Sequence, residues 1–286
     1  MPATAFDVLL PAAPASCVVF ASPHSGRDYS WSFLRKTVLN EHAIRSSEDA
    51  FVDQLFECAS EYGAAFIKAG APRAYVDLNR ARDELDPALI EGVRRTGHNP
   101  RVASGLGVIP RVVANGRAIY RGKMTMYEAE DRIARYWDPY HNRLQSLLDT
   151  AHARHGQTVL IDCHSMPHEA MDGVARAGMR RPDVVLGDRF GAAASGDVVD
   201  RIEAAFSSAG FIVTRNAPFA GAYITQAYGK PSKGQHAIQV EIDRSLYMNE
   251  QLIRPNGNFE AVQAALRGVV KEVAKIGEGR IPLAAE

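Results

Sequence analysis

The sequence has few cysteines, and their spacing predicts no pairing. Its 286 residues include Cys17, Cys58 and Cys163, none of them in a Cys-x-x-Cys arrangement. Disulfide frameworks and thiolate zinc sites both need paired cysteines, so neither is predicted. The pattern favours a reducing compartment, and we expect a cytoplasmic protein with buried, inert thiols. A nucleophilic Cys163 is the alternative to an inert one.

The sequence also lacks net charge and long hydrophobic runs. Its 33 Lys and Arg residues balance its 33 Asp and Glu residues, which argues against a nucleic acid partner. No apolar run approaches the roughly 20 residues of a membrane span, and the opening segment lacks the basic start of a signal peptide. We therefore expect neither membrane nor nucleic acid as a partner, and the sequence is silent on the oligomeric state.

Short apolar runs alternate with segments of helical periodicity, which is typical of an α/β fold with a mixed or mostly parallel sheet. We predict one domain over residues 1–286, with strands at 17–21, 64–69, 74–78, 159–163, 184–186, 211–213 and 238–243. Predicted helices begin at Ser46 or Ser47 and near residues 127, 198 and 259, and Pro139 should break the second. Residues 83–122 show poor periodicity and are a candidate lid.

Two histidines each follow an apolar run and precede a serine. His24 ends the first such run and His164 ends the run Val159–Cys163. Imidazole nitrogens suit zinc, and a catalytic zinc site typically has about three protein ligands. A carboxylate from Glu48 or Asp49 is the natural third ligand. The alternative is that each histidine is a hydrogen-bonded core or surface residue.

Two acids lie within apolar strands. Glu241 follows Val240 in a cleanly alternating strand, where a carboxylate is costly to bury unless it is paired or used in proton transfer. A structural ion pair with an arginine explains it equally well. Asp162 could orient His164 or instead cap the turn that follows.

Asn79 and Arg80 follow the predicted strand at residues 74–78. The planar guanidinium of arginine binds carboxylates through two parallel hydrogen bonds, which would suit an anionic substrate. Arg80 could instead pair with Asp77 or Asp83, and Arg73 carries the same ambiguity.

Six motifs together resemble one protein family, the N-formylglutamate amidohydrolases. They occur in family order and extend from about residue 17 to residue 250. In this sequence they read Ser22-Pro23-His24-Ser25-Gly26, Glu48-Asp49-Ala50-Phe51-Val52-Asp53, Tyr75-Val76-Asp77-Leu78-Asn79-Arg80, Asp162-Cys163-His164-Ser165-Met166-Pro167, Gly221-Ala222-Tyr223-Ile224-Thr225, and Gln239-Val240-Glu241 through Leu246-Tyr247-Met248. Each motif alone is weakly specific, but six in order are strong.

The resemblance implies a three-layer α/β fold of zinc-carboxypeptidase type, with helices on both faces of the sheet. It also implies a divalent metal ion, with zinc as the expected metal, held by His24, Asp49 and His164. Asp49 rather than Glu48 matches the family pattern. The sequence departs from carboxypeptidases, which use His-x-x-Glu, because Arg27 stands at that position and the acid must come from further along the chain.

The resemblance further implies the reaction. Glu241 becomes the general base and then the general acid, Asn79 and Arg80 grip the substrate carboxylate, and Arg73 and Tyr223 join the substrate contacts. The implied activity is hydrolysis of N-formyl-L-glutamate to formate and glutamate, a step of histidine degradation. Two alternatives remain open: a zinc deacylase or carboxypeptidase-like hydrolase for another small anionic N-acyl amino acid, and a binding protein that has lost the chemistry.

Overall fold

The structure is a computed structural model that describes residues 1–94, 99–173 and 181–277. Its strands are β1 (Phe6–Leu9), β2 (Val18–Ser22), β3 (Ala65–Ala69), β4 (Thr158–Met166), β5 (Val184–Gly187), β6 (Val213–Arg215), β7 (Gln235–Asp243), β8 (Met248–Asn249) and β9 (Arg254–Pro255). Its α-helices are α1 (Trp31–Leu34), α2 (Val52–Phe56), α3 (Pro100–Ala103), α4 (Met126–Arg132), α5 (Asp138–His155), α6 (Gly196–Ser208), α7 (Tyr223–Tyr228) and α8 (Phe259–Ala274).

A mixed, mostly parallel sheet is the centre of the fold. Within the described residues it has seven strands in the order β1-β3-β2-β4-β7-β5-β6. The pairs β2–β4, β4–β7 and β5–β6 are parallel, whereas β5 runs antiparallel to β7. The predicted α/β class and sheet type are therefore confirmed. Continuous apolar runs form β2 and the first half of β4, as expected for strands buried on both faces.

The chain divides into two compact units. The first consists of Met1–Asp7, Pro23–Ala50 and Lys68–Arg143, and the second of Val8–Ser22, Phe51–Ile67 and Leu144–Glu286. The single domain over residues 1–286 stays a prediction. In the second unit, α8 packs against α2 and α6, and α7 packs on β4 and β7. Helix α6 ends before Gly210, whose φ of 93° suits a helix stop, as predicted.

The first unit is organised around a buried arginine. The Arg132 guanidinium lies 4.1 Å from the Tyr75 ring centroid, and its Nη2 donates to Glu128 Oε1 (2.6 Å). A π-helical turn, Ile133–Trp137, separates α4 from α5, so the helix is interrupted just before Pro139. The predicted break is therefore confirmed.

The excursion at residues 83–122 is mostly irregular, as predicted, and residues 95–98 within it lie outside the described ranges. Internal bonds hold the part that is described. The Val108 amide donates to the Glu84 carbonyl (2.9 Å), and Arg111 Nε donates to the buried Asp86 carboxylate (2.8 Å). Whether this segment acts as a lid stays a prediction.

Two predicted elements are wrong. Residues 74–78 form no strand, because the amides of Tyr75 and Val76 both donate to the Pro72 carbonyl and close a turn. The helix expected from Ser46 or Ser47 begins only at Val52. Ser46 does not cap it; its hydroxyl donates back to the Ala43 carbonyl, within a 3₁₀ turn that covers Ala43–Ser47.

Candidate metal centre and active site

Polar side chains share one face of the paired strands β4 and β7. The register places Asp162 opposite Gln239 and His164 opposite Glu241. Registered residues of neighbouring parallel strands point to the same side, and residues two apart along a strand share a face. These four buried side chains therefore form one polar patch on the sheet.

His164 is oriented by the acid two residues before it. Its Nε2 lies 3.0 Å from Asp162 Oδ2, and both side chains are buried. This geometry matches the orienting role predicted for Asp162, in which a carboxylate fixes the tautomer of a metal-binding histidine.

His24 has the same arrangement with a different acid. Its Nε2 lies 2.7 Å from Asp77 Oδ1, whereas its Nδ1 lies 3.5 Å from Asp49 Oδ2. Asp49 is itself fixed, because its amide donates to the His24 carbonyl (3.0 Å). Gly26 permits a close approach to the Ala71 backbone, since a Cβ there would collide with the Ala71 carbonyl oxygen.

The buried Asp77 carboxylate links His24 to two predicted substrate residues. Its Oδ1 also accepts from the Asn79 amide (2.8 Å), and its Oδ2 accepts from Arg73 Nε (3.0 Å). Burial alone would raise the pKa of Asp77, but electrostatic interactions with His24, Arg80 and Arg73 outweigh burial and hold that pKa well below its usual value. Asp77 therefore stays ionised.

The structure separates the two candidate acids of the second motif. Both oxygens of Glu48 are held by Arg45, at 2.8 Å from Nε and 3.0 Å from Nη2. The Tyr29 hydroxyl also donates to Glu48 (3.2 Å). Glu48 thus forms a buried ion pair, whereas Asp49 points at His24.

His24, Asp49 and His164 form a group that could hold a metal ion. One ligand atom from each residue lies within 4.8 Å of the other two, and all three residues are buried. Two imidazoles and a carboxylate are the donor set of catalytic zinc sites. The acids that hold both Nε2 atoms add the outer contacts that such ligands usually make. The residues therefore fit a divalent metal.

Glu241 is positioned by its neighbour on the same strand. The Gln239 side-chain amide donates to Glu241 Oε1 (2.8 Å), and Gln239 Oε1 accepts from the Ala222 amide (3.0 Å). Tyr223 begins α7 directly after this contact. The hydrogen bonds connect the Gly221–Thr225 motif to the Glu241 carboxylate.

Arg80 is buried, and two of its three guanidinium nitrogens donate hydrogen bonds to described residues. Its Nε donates to the Leu106 carbonyl (2.8 Å) and its Nη1 to the Asn79 carbonyl (2.7 Å). Its Nη2 makes no hydrogen bond within the described residues, and neither Asp77 nor Asp83 forms an ion pair with it there. Burial lowers the pKa of Arg80, although the Asp77 charge opposes that shift.

The cysteines take no part in this site. Cys163 is fully buried, and burial raises its pKa well above the usual value, as does the nearby Asp162 charge. A thiol in that state is a poor nucleophile. The prediction of a buried thiol is confirmed for Cys17 and Cys163, and Cys58 is buried as well.

Sequence reasoning assigned no site role to Asp77, Gln239 or Arg45. The sequence offers Asp77 only as a possible partner for Arg80 and as part of one family motif, and Gln239 only as part of another. The position of Gln239, two residues before Glu241 on one face, is a usable signal. Nothing local to Asp77 predicts its contact with His24, because 53 residues separate them.

Comparisons with known proteins agree with this geometry. A sequence model of the N-formylglutamate amidohydrolase family matches residues 16–248. The N-formylglutamate deformylase of Pseudomonas aeruginosa is 30% identical over 265 residues, covering 90% of each chain. The enzyme of the same name from Pseudomonas putida is 28% identical over 240 residues, covering 82% of each.

This chain also resembles solved structures. The N-formylglutamate amidohydrolase of Ralstonia eutropha JMP134 aligns with a TM-score of 0.88 at 33% identity, covering 95% of this chain and 97% of that one. A gene product of Agrobacterium tumefaciens, at 17% identity and a TM-score of 0.65, shares the fold. No helix in the described ranges combines the length and apolar character of a membrane span. The family resemblance is confirmed, and the chain belongs to the N-formylglutamate amidohydrolase family.

Proposed function

We propose that this chain hydrolyses the formamide bond of N-formyl-L-glutamate, giving formate and L-glutamate. The observation that carries the proposal is the pairing of His164 with Glu241 on one sheet face, in a chain whose His24, Asp49 and His164 could hold a metal. We choose this substrate because relatives of the chain are named N-formylglutamate deformylase. A cytoplasmic role in histidine degradation and a zinc-carboxypeptidase-like arrangement of layers belong to the same proposal.

His24, Asp49 and His164 would hold a divalent metal ion, with zinc as our choice. When bound, such an ion supplies Lewis-acid polarisation of a carbonyl and makes water a stronger acid. The two histidines would bind through Nδ1, because Asp77 and Asp162 hold their Nε2 atoms. Those acids would hold each imidazole in the tautomer and orientation that a ligand needs.

Glu241 carries the proton. Its carboxylate accepts a proton from the attacking water and returns it to the nitrogen of the departing glutamate, a role typically worth about 10²–10⁴-fold in rate. The Gln239 amide donates to Oε1 and so fixes the carboxylate. Burial also keeps bulk water away from the Glu241 carboxylate, since this residue is only 8% exposed.

Asn79 and Arg80 position the substrate through its α-carboxylate. Arg80 Nη2, which makes no hydrogen bond with the part of the chain that the structure describes, supplies charge-assisted donors, and Asp77 fixes the Asn79 backbone beside it. Arg73 supports this arrangement through Asp77, and Tyr223 is a further substrate contact. Fixing the substrate in this way lowers the entropic part of the barrier.

The test measures formate release by protein that has been stripped of metal and reloaded with Zn²⁺. We expect hydrolysis of N-formyl-L-glutamate, far slower release of acetate from N-acetyl-L-glutamate, and loss of both activities on chelation. A preference for another acyl group or for a dipeptide would favour a related deacylase or carboxypeptidase-like hydrolase. Metal and substrate binding without turnover would favour a binding protein.

A further inference from the structure

The loop after β5 has an unusual backbone. Three consecutive residues, Arg189, Phe190 and Gly191, have φ values of 57°, 57° and 87°. Left-handed conformations are unfavourable for residues with a Cβ, so two of them in a row persist only where the surroundings hold them. Such conformations cluster at ligand sites, where the chain presents a side chain in a fixed direction.

Hydrogen bonds from a neighbouring loop hold this one in place. Asn216 Oδ1 accepts from the amides of Asp188 (3.1 Å) and Phe190 (3.3 Å), and its Nδ2 donates to Asp188 Oδ1 (2.6 Å). The other Asp188 oxygen accepts from the Gly191 amide (3.0 Å). The Arg189 amide donates to the Ala220 carbonyl (2.8 Å). The backbone on either side of the Arg189 side chain is thus fixed.

The Arg189 side chain is half-buried. Its guanidinium makes no hydrogen bond or ion pair with any residue in the described ranges. The acid next to it in sequence, Asp188, is occupied by Asn216 and Gly191. By contrast, Arg215 on β6 pairs with both Asp200 and Glu203. A half-buried guanidinium without an anion is suited to bind one.

Contacts connect Arg189 to the proton-carrying acid. A Cβ on Gly221 would lie 3.3 Å from Arg189 Cγ, so the arginine stem packs against the Gly221 backbone. The next residue, Ala222, donates to Gln239, and Gln239 donates to Glu241. One loop therefore contacts both Arg189 and the side chain that orients Glu241. A side chain at Gly221 would also meet Thr225 Oγ1 at 2.4 Å.

We propose that Arg189 binds the γ-carboxylate of the substrate and so selects N-formyl amino acids with an acidic side chain. This inference rests on the proposed function, which leaves the second carboxylate of N-formyl-L-glutamate without a partner. Arg189 supplies two parallel donors for that group, and a neutral side chain would leave the half-buried cation unpaired. Discrimination then follows from the cost of the unpaired charge.

The test compares N-formyl-L-glutamate with N-formyl-L-glutamine, whose side chain has the same shape without the charge. We expect Arg189→Gln to lower kcat/KM for the glutamate compound by about 10- to 100-fold and to change little for the glutamine compound. Arg189→Lys, which keeps the charge but not the planar fork, should retain part of the preference. Arg254→Gln, at an exposed arginine on β9, is the matched control and should match the wild type.

Equal losses for both substrates would overturn the inference, because Arg189 would then support the loop or the α-carboxylate instead. An unchanged preference in Arg189→Gln would overturn it as well. If Arg189→Gln does not fold, Arg189→Lys decides the question by the same comparison of substrates.

A binding measurement separates this inference from the proposed function. Calorimetric titration of the Glu241→Gln protein with each compound, with and without Arg189→Gln, needs no turnover. If the wild type fails to hydrolyse N-formyl-L-glutamate, the proposed function falls, while binding of that compound that depends on Arg189 still supports the inference. Binding that is indifferent to Arg189 contradicts it.

Discussion

His164 and Glu241 are direct partners across the parallel strands β4 and β7, and their side chains lie on the same face of the sheet. The pair brings an imidazole whose Nε2 is held by Asp162 next to a carboxylate held by Gln239. If His164 binds the metal and Glu241 carries the proton, as proposed, the two groups need no loop movement to meet. The central sheet would then set the geometry of the reaction centre.

Replacing Glu241 by Gln should abolish turnover while leaving binding intact. The substitution keeps the size of the side chain and removes only its capacity to carry a proton, so we expect kcat to fall by about 10²–10⁴-fold. Metal content and calorimetric affinity for N-formyl-L-glutamate should stay near those of the wild type. Glu260→Gln, at an exposed acid of α8, is the control. Normal turnover in Glu241→Gln would refute the base assignment.

Substitutions at the adjacent acids Asp49 and Glu48 should have different effects. Asp49→Asn removes a predicted ligand, so Zn²⁺ retention measured against a competing chelator should fall together with activity. Glu48→Gln breaks the ion pair with Arg45 and should instead lower the free energy of unfolding by on the order of 1–3 kcal/mol. Chemical denaturation checks that value. Loss of metal in Glu48→Gln alone would show that the ligand had been assigned to the wrong acid.

Asp77→Asn should weaken the metal site without removing a ligand. An amide can no longer fix the His24 tautomer as a carboxylate does, and loss of such an outer contact typically lowers metal affinity by about 10- to 100-fold. Competition titration with a chromogenic chelator measures the change. Asp149→Asn, at an exposed acid on α5, should leave the affinity unchanged. An unaltered affinity in Asp77→Asn would mean that His24 is oriented by other contacts.

The buried centre of this fold was predictable from sequence. Continuous apolar runs located β2 and β4, and the alternation around Val240 located β7, because burial on both faces leaves a pattern that local sequence retains. The same runs predict His24 and His164 near strand ends and Glu241 within a strand. The pairing of β4 with β7 then brings His164 beside Glu241.

The contacts made by irregular segments were not predictable. The apolar residues Tyr75 and Val76 suggest a strand, yet their amides bond to the Pro72 carbonyl, and a turn results. Asp49 was placed on a helix, but Phe51 adopts a left-handed conformation (φ 67°) and delays the helix to Val52. Neither feature changes the pattern of apolar residues from which the elements are predicted. The distinction between Asp49 and Glu48 depends on Arg45, which holds the Glu48 carboxylate.

Arg80→Ala should chiefly impair substrate capture. The substitution removes the donors of Nη2, so we expect KM for N-formyl-L-glutamate to rise by about 10- to 100-fold, with a smaller effect on kcat. It also removes bonds to the carbonyls of Leu106 and Asn79, so a thermal melt must accompany the kinetics. Arg82→Ala, two residues along at a more exposed position, is the control. A fall in kcat at unchanged KM would contradict a binding role for Arg80.

The buried His141 should make the stability of the protein depend on pH. Burial lowers its pKa to about 4, although its bond to the Leu78 carbonyl opposes that shift, and the ordinary value is 6.5. The neutral folded form is therefore fully favoured above pH 6.5, and that stability is lost as the pH falls towards 4, because unfolding then takes up a proton. Between pH 7 and pH 5 we expect His141 to account for a loss of about 2 kcal/mol in the free energy of unfolding.

Urea denaturation at both pH values measures this loss. The free energy of unfolding of His141→Gln should decline less than that of the wild type, whereas that of His42→Gln, at an exposed histidine, should decline as much. Equal declines in all three proteins would mean that His141 titrates alike in the folded and unfolded states.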